Sequence, residues 1–308
     1  MGYQRAISNI KAYAKPITSA DQMDEIPFVG DGIKKKVAEF LAEGKMTKLL
    51  NLQSEPKIQV LEQLQNIWGV GPVLAGKLYS SGIRSIEELR ERQSEFLSAN
   101  QTTGLKYYED FLERMPRAEA CLISEQVQKT ARELFGTTVK VIACGSYRRG
   151  RPTCGDVDIL ITRTDHKKVK GMCERLVVRL EEIGFLKERL SMSAGSLERH
   201  REMYMGVCQL PGYTTARRID IKVYPKEQYG FALLYFTGSD YFNRSMRLFS
   251  DRKGFTLSDH GLFPVLKKAQ VGNKIDKSRQ STCIPCLTEE EVFKALGLPY
   301  KTPAERDL

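Results

Sequence analysis

The chain has 308 residues, 48 Lys plus Arg against 38 Asp plus Glu, and a mean hydropathy of −0.37, so it is long enough for a real core in one to three domains and carries a net charge of +10. No apolar run approaches the roughly 20 residues of a membrane span, and seven scattered cysteines with no signal peptide point to a reduced compartment rather than a disulfide framework. Residues 1–115 hold 15 basic and 15 acidic side chains, so the whole excess, 33 against 23, lies in residues 116–308, a bias that suits a polyanionic partner or, more plainly, a solvated basic surface.

Residues 2–14 read as a helix, and a second helix begins after Ser19, its cap. Ile26-Pro-Phe-Val-Gly30-Asp-Gly32 then leads into a helix carrying Lys34, Lys35 and Lys36, which makes a helix, glycine turn, helix unit. A related unit surrounds Gly69-Val70-Gly71-Pro72, where the glycines let backbone amides at the second helix's start approach an anion. Pro72 supports a helix start, since its missing amide would be unpaired there anyway. Taken alone, each glycine turn is more often a plain helix connection. Helices follow at 85–96, 105–113 and 117–135, with Met115-Pro116 as a boundary.

An apolar strand at 139–143 ends in Gly145-Ser146-Tyr147-Arg148-Arg149-Gly150, a turn whose amides, hydroxyl and guanidinium groups suit a phosphate. The next strand, 156–162, turns Val157, Ile159 and Ile161 one way and Asp156 and Asp158 the other. Two carboxylates that close repel unless a cation lies between them, which makes the pair a candidate divalent-metal site; a strand with a polar outer face is the plainer alternative. A helix spans 170–183, and residues 187–203, polar and containing Gly195, read as a hairpin loop. In Arg217-Arg218-Ile219-Asp220-Ile221-Lys222-Val223 the same alternation brings a third carboxylate, Asp220, toward the first two, with Arg218 on its face. Beyond Pro225 the pattern is mostly helical with a short terminal sheet. Cys283-Ile-Pro-Cys286 has no second half and reads as ordinary thiols.

Gly145-Ser146, nine residues, then Asp-x-Asp resembles the nucleotidyltransferase signature, and Gly-Ser-Tyr-Arg-Arg-Gly with Cys-Gly-Asp-Val-Asp is similar to the family X DNA polymerases. The resemblance implies an α+β fold of several subdomains: a lyase-like helical domain with a helix-hairpin-helix at 1–50, a helical DNA-binding subdomain with a second one at 51–115, a nucleotidyltransferase-type mixed-sheet palm at 116–226, and a mostly helical nucleotide-selecting subdomain at 227–308. It implies a template-dependent polymerase that fills short gaps in base excision repair and end joining, adding dNTPs to gapped or nicked duplex DNA. A monomer and a nuclear location in a eukaryote go with it. The short 187–203 segment agrees, because relatives that extend DNA without a template carry a longer insertion there.

On the matching residues, the resemblance implies that Asp156 and Asp158 bind two Mg²⁺ ions, replaceable by Mn²⁺, with Asp220 completing the one that activates the primer hydroxyl. Ser146, Arg149, Gly155 and Arg114 would contact the triphosphate. Tyr235, Phe236, Gly238 and Ser239 would crowd the sugar through a Gly-Ser peptide that is often cis, with Asp240 and Asn243 beside the nucleotide and Arg247 near the template. Gly30, Gly32, Lys34, Lys35, Gly69, Val70, Gly71 and Arg218 would touch DNA, although Phe28 replaces a glycine usual in the first hairpin. Lys36 takes the place of the family's Schiff-base lysine, and its neighbours Lys34 and Lys35 would lower its pKa by like-charge repulsion. The chain begins near Tyr3, inside that domain, so 5′-deoxyribose-phosphate lyase activity is expected to be weak. Two readings remain beside the polymerase: an RNA-tailing or small-molecule nucleotidyltransferase, which has no need of glycine hairpins, and a non-catalytic DNA-end scaffold, which has no need of three aligned carboxylates.

Overall fold

The computed structural model describes residues 2–165, 167–193, 202–265 and 282–307, and it divides into two compact units, Met1–Phe96 and Leu97–Leu308. In the first unit glycine and proline set the helix limits. Helix α1 (Gly2–Ala12) is followed by a 3₁₀ turn, Ala20–Glu25, rather than the α-helix expected there; Ser19 caps it through a capping box with Gln22. Helix α2 (Asp31–Glu43) starts at Gly30 and stops at Gly44, whose φ of 67° is left-handed. Helices α3 (Thr47–Gln53), α4 (Pro56–Gln65), α5 (Pro72–Ser80), α6 (Ile86–Glu91) and α7 (Gln93–Phe96) complete it. Leu64, Ile67, Ala75, Leu78, Ile83 and Leu89 are fully buried around the second glycine hairpin and Ala6 and Met23 ahead of the first, whereas α2 and α3 bury no residue fully.

The second unit opens with helices α8 (Ala99–Lys106) and α9 (Tyr108–Leu112) and strand β1 (Met115–Pro116), then the long helix α10 (Arg117–Phe135). Strand β2 (Val139–Ala143) leads into a single helical turn, α11 (Gly145–Arg148), and strands β3 (Thr153–Cys154) and β4 (Val157–Arg163) follow, with helix α12 at Met172–Glu182. Strands β5 (Leu186–Ser193), β6 (Glu202–Cys208) and β7 (Arg217–Val223) complete a sheet that, among the described residues, has the order β2-β4-β7-β6-β5; β4 and β7 are parallel and every other pair antiparallel. Helices α13 (Tyr229–Thr237) and α14 (Asp240–Arg252), the hairpin of β8 (Phe255–Ser258) and β9 (Gly261–Pro264), and helix α15 (Glu289–Leu296) end the unit. Among the described residues no helix is long and apolar enough to cross a membrane.

Two expectations change. Much of 187–203 is strand: β5 and β6 pair with an irregular register, and Gly195 lies outside the described residues. The segment looks polar because β5 is an edge strand; Leu186 and Leu190 are buried while Lys187, Arg189 and Ser191 face water. The plainer alternative for strand β4, a polar face open to solvent, does not hold, since Leu160 and Thr162 are buried and Asp158 is half-buried. Val157, Ile159 and Ile161 join the core under α10 and α12, and on the other side Leu160 packs with Cys144, Tyr224, Tyr229, Ala232 and Leu233, so α13 covers the strand just beyond Asp158.

Candidate active site

The parallel ladder sets Val157 against Ile219 and Asp158 against Asp220, so two carboxylates emerge side by side from neighbouring strands, with Asp156 one residue before β4. The same alternation projects Lys222 beside Asp220. Its ammonium lies 2.8 Å from Asp158 Oδ1, 3.4 Å from Asp220 Oδ2 and 4.4 Å from the centre of the Phe236 ring. Arg218 pairs with Asp156 and stands 4.0 Å from Asp220 Oδ1. Lys222 is in phase with Arg218 and Asp220 on a period-two reading of the strand, the signal that marks it in the sequence.

Burial raises the pKa of Asp156, and the Asp158 charge adds to it. Burial also raises that of Asp220, with Lys222 pulling the other way and Asp158 reinforcing the rise. Burial works against the Lys222 ammonium, but Asp158 and Asp220 together more than offset it, and its pKa stands above the usual lysine value. The acids therefore need positive charge, and at present two side chains supply it. Among the described residues no three His, Cys, Asp or Glu side chains form a ready-made metal cage. An all-oxygen set of this kind still suits a hard divalent ion that takes its remaining ligands from phosphate or water.

The phosphate turn is one helical turn rather than an open loop, closed by Arg148 N to Cys144 O and Arg149 N to Gly145 O. Gly145 has φ +54°, and a β-carbon there would stand 2.5 Å from Asp158 Oδ2; only glycine lets the turn lie this close to the acid. Its two arginines part company. Arg148 makes a two-pronged ion pair with Glu289 and donates to Thr237 Oγ1, a structural role. Arg149 donates from Nη1 to the Thr237 carbonyl (2.7 Å) and from Nε to Asp307 (2.9 Å) while facing the cavity.

That cavity, about 430 Å³, brings together most of the residues expected to meet a nucleotide: Arg114, Ser146, Arg149, Gly155, Tyr235, Phe236, Gly238, Asp240 and Asn243, with Asp156, Asp158 and Arg247. Arg114 is pinned to the Thr153 carbonyl (2.7 Å) and reaches Gly155. The Gly238–Ser239 peptide is cis. Ser239 does not line the cavity; its hydroxyl donates to the Arg306 carbonyl and caps α14 at Phe242. Asp220 and Arg218 do not line the cavity; Asp220 stands opposite Asp158 in the ladder and Arg218 is paired with Asp156.

In the first unit Gly30 and Gly71 are the N-caps of α2 and α5, the geometry in which first-turn amides lack helical acceptors. Gly32 and Lys35 are exposed on α2, and Gly69 has a left-handed φ of 84°. Two of the residues expected at DNA make contacts within the protein. Val70 buries its side chain and its amide donates to Ile67 O, so it shapes the turn rather than presenting a donor. Lys34 is paired with Asp24 (2.6 Å) and Asp21 (3.2 Å), so its charge already has partners within the protein. Lys36 donates to Gly32 O at 3.0 Å and lies 5.6 Å from the centre of the Tyr3 ring.

Family models match the chain almost end to end: a helix-hairpin-helix domain over residues 1–46, the fingers domain of DNA polymerase lambda over 62–112, the DNA polymerase beta palm over 114–226 and the DNA polymerase beta thumb over 232–307. The chain is 42% identical over 308 residues to a DNA polymerase lambda of Rattus norvegicus, covering all of this chain and 52% of the rat protein. It is 38% identical over 309 residues to a DNA polymerase lambda of Arabidopsis thaliana, covering 99% of this chain and 57% of the plant protein. The chain thus spans about half the length of these curated relatives.

Proposed function

The chain belongs to the family X DNA polymerases, and from that membership we propose that it fills short gaps in DNA during repair, adding dNTPs to a primer 3′ hydroxyl under the direction of a template. One observation carries the reading: three carboxylates gather on a parallel strand pair beside a cavity whose other walls are a phosphate-type turn and the Tyr235–Phe236 pair. The RNA-tailing and scaffold alternatives are not favoured, since the helix-hairpin-helix and palm matches occur in one chain.

Asp156, Asp158 and Asp220 would hold Mg²⁺, or Mn²⁺ in its place; the raised pKa values of Asp156 and Asp220 express the demand for a cation there. Bound ions would neutralise charge on the triphosphate and favour ionisation of the 3′ hydroxyl. The chain itself does the rest. Arg149, Ser146 and Arg114 bind and orient the triphosphate, which amounts to positioning and electrostatic stabilisation rather than covalent chemistry. Tyr235 and Phe236 form the wall against the sugar and favour deoxynucleotides. Arg218 holds Asp156 and flanks Asp220, fixing the acids relative to one another.

The two glycine hairpins would grip the backbone of gapped or nicked duplex DNA through first-turn amides, with Lys35 and Arg247 adding charge. The protein would act as a monomer and, in a eukaryote, in the nucleus. Lys36 would give at most weak 5′-deoxyribose-phosphate lyase activity. The decisive experiment is primer extension on gapped duplex with dNTPs, alongside template-free and ribonucleotide controls. Wild type should extend and Asp220→Ala should not, while both bind DNA within a few-fold. Substantial extension by Asp220→Ala removes that carboxylate from the reaction, and template-free extension removes template direction.

A further inference from the structure

The candidate nucleotide cavity is braced from behind by residues 306 and 307. Asp307 accepts from Nε of Arg149 at 2.9 Å, and its other oxygen pairs with Arg151. The carbonyl of Arg306 accepts from both the amide (3.3 Å) and the hydroxyl (2.9 Å) of Ser239, the residue after the cis peptide. These acceptors are well anchored. The Arg306 side chain is fully buried among the rings of Phe242, Phe293 and Tyr300 and bonds to Glu289 at 2.5 Å, and Glu289 also receives both prongs of Arg148.

We propose that Asp307 is a positioning residue for the incoming nucleotide, acting through Arg149. A free arginine samples many rotamers, and ordering it when the substrate arrives opposes binding. Here Thr237 O takes Nη1 and Asp307 takes Nε, so the planar guanidinium is fixed in two directions before any triphosphate arrives. Among the described residues Nη2 has no protein acceptor, and Arg149 is a wall of the cavity. Both partners of the ion pair are about 15% exposed, so solvent competes little for it. Nor does the carboxylate repel the triphosphate on balance, because Arg149 and Arg151 together outweigh its single charge.

The inference rests on reading Arg149 as a triphosphate ligand, and the test separates the two. Steady-state extension on gapped duplex compares wild type with Asp307→Ala, Asp307→Asn, Arg149→Ala and the Arg149→Ala/Asp307→Ala double variant. Asp307→Ala should raise KM for dNTP about five- to tenfold with kcat changed less than about twofold. Asp307→Asn, which can still accept from Nε, should recover most of that loss. In the Arg149→Ala background, Asp307→Ala should change nothing further. If Arg149→Ala raises KM but Asp307→Ala does not, the positioning role alone is overturned. An equal loss from Asp307→Ala in both backgrounds also overturns it, in favour of a general structural role. If Arg149→Ala leaves KM unchanged, the triphosphate assignment beneath it fails as well.

Discussion

Gly145 lies so close to Asp158 that a β-carbon added to it would come within 2.5 Å of the carboxylate's Oδ2. The contact joins the phosphate turn to the acid with no side chain between them, and Cys144 N reinforces it by donating to the Asp158 carbonyl at 2.7 Å. Gly145→Ala should therefore push Asp158 aside or force the turn off its φ of +54°, at about 1–3 kcal/mol of stability. Nucleotide addition should fall more than about a hundredfold, because misplacing an acid by an ångström is enough for that. Single-turnover extension together with a thermal melt checks it. A folded variant with near-wild-type rate would mean that the turn tolerates a methyl group and that this approach is incidental.

Lys222 is the internal counter-ion of the acids, and replacing it should reveal their repulsion. The Asp220 carboxyl is raised, so the native state holds a proton there more firmly than the unfolded chain does. Above its native pKa this carboxylate opposes folding, and the opposition fades as pH falls through that value toward the unfolded one near about 4. Lys222 lowers the Asp220 pKa and so limits the opposition. Lys222→Met should cost about 3 kcal/mol in the metal-free protein at neutral pH and less in acid. Mg²⁺ should raise the Tm of the variant more than that of wild type. Equal losses at both pH values, with equal responses to Mg²⁺, would mean that Lys222 contributes packing alone.

Sugar choice should depend on the end of α13. The Tyr235 ring meets Phe236 edge-on at 5.1 Å, its carbonyl accepts from Asn243 at 2.7 Å, and the Arg247 guanidinium lies 5.8 Å from its ring centre, so the wall is held from three sides. Tyr235→Gly should lower the dNTP over rNTP ratio of kcat/KM by about tenfold or more. Competition of the two nucleotides on one gapped template measures it. An unchanged ratio assigns the gate elsewhere.

Lyase activity should be weak and should depend on Lys36. Its ammonium donates to Gly32 O at 3.0 Å, an acceptor it must leave before it can attack an aldehyde. Borohydride trapping on a 5′-deoxyribose-phosphate substrate should give a faint adduct that disappears in Lys36→Ala. A strong adduct would contradict the first half, and one that survives the substitution would exclude Lys36 itself.

Where one face of an element meets one environment, the sequence was readable. The helix at Arg117–Phe135 and the strand at Val139–Ala143 appear at their expected limits, and the alternation that sets Asp156, Asp158 and Asp220 off from the apolar face is the alternation in the sheet. The edge strand β5 was hidden because its outward residues resemble a loop. Lys222 was in phase with Asp220, but on a strand buried at both faces a lysine gives no sign of which acid it will meet. The link from Arg149 to Asp307 spans 158 positions, and no local pattern records a contact made by chain closure.

Asp158 and Leu160 leave β4 on the same side, and the apolar cluster that receives Leu160 is built from Ala232 and Leu233 of α13, with Phe236 packed at its border. The proposed metal ligand and the proposed sugar wall thus stand on one shared foundation. A change at Leu160 or Ala232 has no independent target: any shift that alters the rate of addition also tilts the surface that judges the sugar. Natural variation within that cluster is therefore expected to trade speed against discrimination, and a compensating change for either property will arise on the opposite element, strand answering helix.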